Sequence, residues 1–340
     1  MNNPPRQKHA QPARNAAPTI SKVAEAAGVS RGTVSRAFTR PEMLSPDTVS
    51  RIVMIAGQLG YVPNHTARAL STGRNGNVAL VVPDVANPFF PPLIRAAQVE
   101  ADKLDFCVFL GNTEERPEQE EKLVSRFTTQ VEGFILASSR LPDDRIHLHA
   151  LRRPLVLINR DVDGLPRVLI DSGIGVEQAM EHLVGLGHRR IAYISGPKNS
   201  WSNAQRSAAV RRVADVRSLD ILTLPAQLAS FEAGRHAVPA MLAYGATAAI
   251  AFDDLMAQGV MAGLAAHNVL VPADFSVIGC DDVLGSMTYP PLTSVSNSCP
   301  EAGRAAFSML MEILDTHLVK NIRCVLETSL VVRNTTGPVR

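Results

Sequence analysis

The first regular pattern of apolar positions lies between Thr19 and Phe38 and predicts two short helices joined by a glycine turn. The first helix has one apolar face at i, i+3, i+4 and i+7 spacing, made of Ile20, Val23, Ala24 and Ala27. Gly28 can take the left-handed conformation that ends a helix, and Ser30 is a suitable N-cap for the next helix. The inward face of the second helix is made of Val34, Ala37 and Phe38. This is the helix-turn-helix pattern, whose second helix enters the DNA major groove, so DNA is the first partner to test.

A third predicted helix completes this unit. Ser45 is a suitable N-cap followed by proline at the first helical position, and Gly60 ends the segment. Its apolar positions recur at helical spacing: Val49, Ile52, Val53, Ala56 and Leu59. The pattern predicts a three-helix DNA-binding domain over residues 18–62, preceded by a disordered basic arm over residues 1–17. Residues 63–76 are predicted to be a linker with one weak helix.

From Val78 onward, apolar segments of strand length alternate with helical patterns. Nine segments have the composition of strands: 78–82, 106–110, 133–137, 155–159, 167–170, 191–195, 221–224, 248–252 and 275–279. Continuous apolar strands separated by helices are typical of parallel sheets covered on both faces. Nine strands over about 260 residues predict an α/β core of two doubly wound lobes, with the break after Asp171. Ligands of such folds lie outside the carboxyl ends of the strands, here in an interlobe cleft.

Composition narrows the class of protein. Hydrophobic residues make up 46% of the chain and charged residues 19%, which is typical of a globular protein. No apolar run has the length of a membrane span, and the amino-terminal segment lacks the apolar core of a secretory signal, so no membrane partner is expected. The four cysteines lie far apart without metal-ligand spacing. We therefore expect no metal, no cofactor and no disulfide, and a cytoplasmic location fits.

The net charge of +2 conceals an asymmetry along the chain. Residues 1–75 contain ten Lys/Arg and three Asp/Glu, a charge of +7, whereas the remainder contains 24 and 29, a charge of −5. A basic amino-terminal unit on an acidic body directs the positive end toward a polyanion. Basic tails are common, so charge alone does not decide for nucleic acid.

Two glycine-containing segments match enzyme motifs but lack the required context. Residues 28–32 read G-x-S-x-G, yet a nucleophile elbow needs a preceding strand, and an Ala/Glu-rich helix precedes this segment. Residues 173–175 follow a strand, but Gln178 occupies the third small position of the dinucleotide fingerprint. Because the chain also has neither a P-loop nor a His/Cys metal pattern, we do not expect an enzyme.

Several motifs occur together in a characteristic order. The amino-terminal part contains TISKVAEAAGVSRGTVSRAF, LSPDTVSRI and LGYVPNHTARALSTGR, and the body contains VVPDVANPFF, LGNTEERPEQE, VEGFILAS, HLVGLGHRRIAYISGP, VPADFSVIGCDD and YPPLTSV. In this order they resemble the lac-repressor-type (LacI/GalR) family of transcription regulators. The resemblance implies a homodimer that reads the half-sites of a pseudopalindromic operator. It also implies a periplasmic-binding-protein-like core, with one lobe at about 77–171 and 297–323 and the other at about 172–296 and 324–340.

The resemblance assigns DNA contacts to the three-helix domain of residues 18–62, which we call the headpiece. Arg31, Gly32 and Arg36 lie at the start and on the outward face of the second helix. Arginine can bond guanine bidentately, at roughly 1–3 kcal/mol of discrimination per pair. Small hydroxyl residues suited to phosphate contacts are Thr19, Ser30, Thr33, Ser35 and Thr48. Gly32 stands where the family usually has a larger residue, so one base-reading side chain is absent.

The linker resembles the family's hinge, with Asn64 among the expected DNA contacts. Leu70 matches the hinge leucine that wedges between base steps in the minor groove and kinks DNA. Taken alone, Leu70 is better interpreted as an ordinary core leucine, and only its surroundings in PNHTARALSTGR favour the wedge. A weak helix here is expected to fold only when two copies pair on DNA.

The resemblance also implies an effector, mostly a sugar or another small polar metabolite, in the interlobe cleft. Arg206 matches the family's cleft arginine and Asp281 its cleft aspartate. Other candidates at strand ends or on an apolar wall are Asn159, Asp253, Phe89 and Phe90. Structural roles compete, because Asp281 can cap a turn together with Asp282, and Phe89 can be plain core. His188 is interpreted as a structural turn residue, and the segment after Arg206 looks shortened, which alters the expected cleft wall.

These observations predict a cytoplasmic, dimeric, DNA-binding repressor controlled by a sugar-like effector. An activator or a corepressor-dependent regulator of the same architecture is the alternative. A sugar-binding protein without DNA function is a further alternative, but it predicts a signal peptide and no basic headpiece. The chain ends without a leucine-heptad segment, so a coiled-coil tetramer is not predicted.

Overall fold

The computed structural model of the chain describes residues 18–62 and 75–339. These residues divide at positions 75 and 76 into an amino-terminal and a carboxy-terminal unit. The expectations for the basic arm, for the linker helix and for Asn64 and Leu70 fall outside the described residues. Within the described ranges, no helix is long and apolar enough to cross a membrane.

Three helices form the amino-terminal unit: α1 (Ile20–Ala27), α2 (Arg31–Thr39) and α3 (Pro46–Leu59). Gly28 and Gly60 end α1 and α3 with φ of 65° and 66°, the left-handed conformation that was predicted for Gly28. Ser30 caps α2, because its Oγ accepts a hydrogen bond from the Thr33 amide at 3.1 Å. Apolar residues of all three helices form the core: Val23, Ala24, Ala27, Val34, Ala37, Ile52 and Ala56. The predicted helix-turn-helix unit is therefore present.

The first lobe of the carboxy-terminal unit contains a six-stranded parallel sheet. Its strands are β1 (Asn77–Val82), β2 (Cys107–Asn112), β3 (Gly133–Ala137), β4 (Leu155–Ile158), β5 (Arg167–Asp171) and β11 (Arg323–Glu327). Their order across the sheet is β11-β5-β4-β3-β1-β2. The covering helices are α4 (Phe90–Lys103), α5 (Pro117–Phe127), α6 (Asp143–Ala150) and α11 (Cys299–Thr316).

The second lobe repeats this plan. Its strands are β6 (Arg190–Ser195), β7 (Asp220–Pro225), β8 (Ala248–Ala251), β9 (Ser276–Asp281), β10 (Thr293–Ser296) and β12 (Leu330–Val331), in the order β12-β10-β9-β8-β6-β7. All pairs are parallel except that of β12 with β10. The covering helices are α7 (Ser172–Gly185), α8 (Trp201–Arg217), α9 (Phe231–Tyr244) and α10 (Asp254–Ala266).

Each sheet has a separate apolar cluster on each of its two faces. In the first lobe, α4 and α11 pack on one face while α5 and α6 pack on the other. In the second lobe, α9 and α10 cover one face and α7 and α8 the opposite face. Burial on both faces explains why the central strands are continuous apolar runs. The predicted α/β class of two doubly wound lobes is confirmed.

The chain passes between the lobes three times, and the last passage lies later than predicted. Residues Arg323–Glu327 pair with Arg167–Asp171 in the first sheet, so the return to the second lobe follows Glu327 and not residue 323. The sequence analysis also missed three strands: β10, β11 and β12. Strand β10 is largely buried, but its sequence TSVS is mostly polar. Strand β11 alternates exposed and half-buried positions at a sheet edge, and β12 has only two residues, so all three lack the continuous apolar signature.

Candidate functional sites

The solvent-facing side of α2 is the first candidate site. Val34 and Ala37 are buried in the core of the amino-terminal unit, whereas Arg31, Gly32 and Arg36 are exposed. Helical periodicity places Val34 and Ala37 on one face and Gly32 and Arg36 on another, because residues three and four apart share a face. Arg31 is exposed as the first residue of α2, so the helix presents two guanidinium groups to solvent.

The hydroxyl residues named for phosphate contacts lie around the starts of the helices. Thr19 is exposed at the N-cap position of α1, where its side chain makes no capping bond. The Thr33 hydroxyl lies 2.9 Å from Ser30 Oγ, and the Thr48 hydroxyl lies 2.8 Å from the Oγ of the α3 cap, Ser45. The two threonine hydroxyls therefore contribute to helix starts, whose free amides attract phosphate. Ser35 is half-buried on α2.

The second candidate site is a pocket between the two lobes, with a free space of about 410 Å³ when the part open to solvent is included. Five of the six residues predicted for the effector line it: Phe89, Phe90, Asn159, Arg206 and Asp281. Eight further residues complete the lining: Asn87, Glu115, Ser138, Arg140, Ser200, Ser202, Ala229 and Phe252. Most of these follow the carboxyl ends of strands, where the doubly wound fold places its ligand crevice.

Arg206 on α8 is held by partners from three different segments of the second lobe. Its Nε donates to Ser172 Oγ at 3.1 Å, one terminal nitrogen donates to Asp281 Oδ1 at 2.6 Å, and the other donates to the Phe252 carbonyl. The guanidinium also lies over the Phe252 ring, 4.7 Å from its centroid. Burial by itself lowers the pKa of Arg206, but the charge of Asp281, the nearby Cys280 and Tyr193 and the hydrogen bond to Asp281 together outweigh it, so the net pKa is raised and the group stays ionised.

Asp281 ends β9 on a strained backbone. Asp281 and Asp282 have φ of 97° and 48°, a region that non-glycine residues rarely adopt. The two carboxylates pair with different arginines, because Asp282 bonds Arg333 at 2.6 Å while Asp281 bonds Arg206. The turn therefore aims Asp281 alone at the pocket, and Asp282 fastens the strand end to the carboxy-terminal segment.

Asp253 is the predicted residue that does not line the pocket. Its carboxylate caps α10 by accepting from the Met256 amide at 2.8 Å, and it accepts from Asn87 Nδ2 of the first lobe at 3.0 Å. Burial and the nearby charge of Asp281 raise the pKa of Asp253 to about 6. The structure thus gives Asp253 a capping and interlobe position behind the pocket lining, and its expected contact with the effector stays a prediction.

Asn159 and the two phenylalanines combine structural and pocket-lining positions. Asn159 has φ of 52°, and its Oδ1 accepts from the Ile170 amide at 2.9 Å, which secures the end of β4 to β5. Phe89 and Phe90 pack edge to face at 5.0 Å and belong to the apolar cluster of the first lobe. Both therefore contribute to the core while their rings form the apolar wall of the pocket.

The first lobe contributes polar residues to the pocket that were not predicted from the sequence. Arg140 follows β3 and binds Glu115, which follows β2, through two hydrogen bonds of 2.5 and 3.0 Å. Asn87, which follows β1, was missed as well. The available signal was their position after strand ends, the same rule that selected Asn159.

His188 belongs to neither candidate site. The buried His188 ring contacts Thr247 Oγ1 at 2.8 Å and Ser276 Oγ at 3.0 Å, which agrees with its interpretation as a structural residue. In residues 18–62 and 75–339, no cluster of three or more His, Cys, Asp or Glu is arranged to hold a metal ion.

A helix-turn-helix unit joined to a two-lobed core with an interlobe pocket defines a DNA-binding regulator with a ligand-binding core. Two family profiles agree with this class: "Bacterial regulatory proteins, lacI family" matches residues 19–64, and "Periplasmic binding protein-like domain" matches residues 180–336. The HTH-type transcriptional regulator DegA of Bacillus subtilis (strain 168) is 31% identical over 333 residues, covering 94% of this chain and 98% of DegA. This chain belongs to the lacI family of bacterial regulatory proteins.

Two solved structures show the same fold over nearly the whole chain. The lac repressor dimer bound to operator and the anti-inducer ONPF has a TM-score of 0.83 at 27% identity, covering 94% of this chain and 99% of the repressor chain. The transcriptional regulator CelR in complex with cellobiose has a TM-score of 0.70 at 29% identity, with the same coverage. As a member of this family, the chain is a transcription regulator and not an enzyme, as predicted.

Proposed function

We propose that this chain is a cytoplasmic transcriptional repressor that binds a pseudopalindromic operator as a homodimer and responds to a sugar-like effector in the interlobe pocket. The observation that carries the proposal is that both lobes contribute polar groups to one pocket. A ligand that binds both lobes has a different affinity for each arrangement of the lobes, and such a difference can drive a switch.

The DNA contacts are assigned to α2 and to the helix starts around it. Arg31 and Arg36 read bases, because exposed guanidinium groups can bond guanine bidentately in the major groove. The hydroxyl residues contact phosphates: Thr19, Ser30, Thr33, Ser35 and Thr48. Gly32 leaves one position of α2 without a base-reading side chain. Asn64 and Leu70 are assigned to the hinge, with Leu70 as the minor-groove wedge.

The effector is assigned to the pocket lined by Arg206 and Asp281. Guanidinium, carboxylate and amide groups match the hydroxyls of a sugar, while Phe89 and Phe252 offer apolar faces. The related regulator CelR binds cellobiose, and the related lac repressor binds its operator as a dimer, which supports the assignment of both ligand class and assembly. An activator or a corepressor-dependent regulator would use the same groups with the opposite sign of coupling.

The decisive experiment selects operators from a random DNA pool with the full chain and then repeats binding with a panel of sugars. We expect saturable, salt-sensitive binding to a pseudopalindromic sequence and a change of affinity with at least one sugar. The absence of specific DNA binding under every condition would contradict the repressor. An Arg206→Ala variant that responds to the identified sugar as the parent does would contradict the pocket assignment, and full operator affinity in Leu70→Ala would contradict the wedge.

A further inference from the structure

Each lobe presents one guanidinium–carboxylate pair to the interlobe pocket. The second lobe contributes Arg206 with Asp281, and the first lobe contributes Arg140 with Glu115. The Arg140 side chain is 5% exposed and the Glu115 side chain 18% exposed, so the first-lobe pair is also largely withdrawn from solvent. A ligand in the pocket therefore lies among four ionised side chains from two lobes.

The first-lobe pair is held in place by unusual backbone geometry. Glu115 has φ of 58° and Ser138 has φ of 50°, both in the left-handed region. The Ser138 carbonyl accepts a hydrogen bond of 2.9 Å from Arg140, whose other two bonds go to Glu115. Positive φ at non-glycine residues clusters at functional sites, because it is strained and persists only where the surrounding structure enforces it.

The charges that line the pocket balance. Arg140 and Arg206 carry two positive charges and Glu115 and Asp281 two negative ones, and every other lining residue in the described chain is uncharged. An ionised ligand would enter this buried site without a counter-charge, or it would have to break an existing pair, and both are costly.

An uncharged polyhydroxyl ligand meets neither difficulty. Each guanidinium has five N–H donors, and the three hydrogen bonds that each makes within the protein leave donors free. Each carboxylate also keeps lone pairs that can accept from hydroxyls. A hydroxyl both donates and accepts, so it can bind either pair without disturbing it.

We propose that the Glu115–Arg140 pair is the ligand-binding group of the first lobe, and that with Arg206–Asp281 it selects an uncharged sugar over phosphorylated or carboxylated sugars. This inference rests on the proposed function, because it concerns the effector of the same pocket. Beyond that function, the effector is specified as an uncharged sugar, and Glu115 and Arg140 are named as residues that select it.

The first test compares uncharged sugars with their charged derivatives on the full chain. Ribose, glucose and cellobiose are titrated beside ribose 5-phosphate, glucose 6-phosphate and cellobionate, with the thermal unfolding midpoint and affinity for the selected operator as readouts. We expect at least one uncharged sugar to bind about tenfold more tightly than its charged derivative. Tighter binding of the charged derivatives, or no binding of any uncharged sugar, overturns the proposal. Absence of operator binding both with and without sugars would instead contradict the proposed function.

The second test changes the charge balance at Glu115. Glu115→Gln leaves the pocket with a net positive charge, so we expect the uncharged sugar to bind about tenfold more weakly and its phosphate to bind more tightly than to the parent. Glu114→Gln is the matched control, because Glu114 is 63% exposed and pairs with Arg116 outside the pocket lining. Unchanged affinities in Glu115→Gln would overturn the proposal.

A folding readout accompanies this comparison. If Glu115→Gln lowers the thermal midpoint of the ligand-free protein, Glu115→Asp replaces it, because aspartate keeps the charge and only shortens the side chain. That variant is expected to bind the uncharged sugar more weakly without gaining affinity for the phosphate. A gain of phosphate affinity in Glu115→Asp would overturn the role assigned to the charge.

Discussion

Asn87 of the first lobe donates a hydrogen bond of 3.0 Å to the carboxylate of Asp253 in the second lobe. Asn87 follows β1 of the first sheet and Asp253 follows β8 of the second sheet, and Asp253 also caps α10. Asn87 itself lines the pocket, so this bond couples the pocket wall directly to the contact between the lobes. A change in how the lobes meet must therefore form or break a bond to a buried carboxylate.

The substitution Asn87→Ser removes the hydrogen bond between Asn87 and Asp253. Serine can still accept from the Phe89 amide, as Asn87 Oδ1 does at 2.9 Å, but it is too short to reach Asp253. We expect the free energy of unfolding of the core to fall by about 1 kcal/mol. The effector concentration for half-maximal change in operator binding should shift by roughly fivefold. Denaturant unfolding and operator titration measure the two effects.

Asn112→Ser provides the control for Asn87→Ser. Asn112 Oδ1 accepts from the Val85 amide at 3.0 Å within the first lobe, so its loss is local. This variant should lose stability without a change in the effector response. Equal shifts of the effector response in both variants would contradict the interlobe role of Asn87.

The second prediction concerns two glycines of the headpiece. A Cβ at Gly32 would meet only Ser30 Oγ at 3.7 Å and Arg36 at 4.0 Å, both ordinary contacts. Gly32→Ala should therefore raise the free energy of unfolding of the headpiece by about 0.5–1 kcal/mol, because alanine favours the helix. Gly28→Ala should lower this free energy of unfolding, because Gly28 has φ of 65°, which alanine rarely adopts. The cost comes from the backbone alone, since an added Cβ would meet nothing within 4 Å. Thermal unfolding that ranks the two variants in the opposite order would refute this account.

The glycine turn, the helix caps and the strand ends could be predicted from sequence because each depends on neighbouring residues. Gly28 and Ser30 needed only the apolar spacing around them. Arg206 and Asp281 were predicted from their match to the family's cleft arginine and aspartate, and the rule that ligands meet strand ends supported that match. Glu115 and Arg140 both follow strand ends, so the same rule marks each of them as a candidate, but their pairing could not be predicted in this way. It depends on left-handed backbone at Glu115 and Ser138, which no local pattern requires, and on two loops that meet only in the folded lobe.

Asp253 shows the converse limit of sequence reasoning. Its position after β8 was predicted correctly, but a residue at a strand end can point into the crevice or cap the following helix. The capping bond to Met256 decides between these, and the carboxylate lies behind Asn87, which lines the pocket in its place. Sequence periodicity gives the place of such a side chain and not its direction.

The third prediction concerns Arg36 of α2, which we assign to a base of the operator. Arg36→Ala should lower the affinity for the selected operator by roughly 1–3 kcal/mol and relax the base preference at one position of each half-site. Affinity for random DNA should change much less, because a base contact adds little to non-specific binding. Arg235→Ala is a suitable control, since Arg235 is an exposed arginine of α9 paired with Glu232. Equal losses on operator and random DNA would assign Arg36 to phosphate contact.

The last prediction follows from the buried carboxylate Asp254 beside Asp253. Burial and the charge of Asp281 raise the pKa of Asp254 to about 7, although Ser294 lies 2.5 Å from its Oδ1. The folded state therefore holds a proton that the unfolded state has released above about pH 4. The stability that this proton contributes is complete below that pH and is lost as the pH rises through about 7.

Asp254→Asn isolates this contribution, because asparagine resembles the protonated acid. The parent core should lose on the order of 2 kcal/mol of unfolding free energy relative to Asp254→Asn between pH 5 and pH 8. The quantity to measure is the difference in unfolding free energy between the parent and Asp254→Asn at each pH. Other groups also titrate in this range: burial lowers the pKa values of His182 and His188, so their contribution to stability rises with pH. Asp102→Asn, at an exposed position of α4, controls for net charge and should follow the parent. Parallel pH profiles for the parent and Asp254→Asn would show that Asp254 is ionised in the folded core throughout this range.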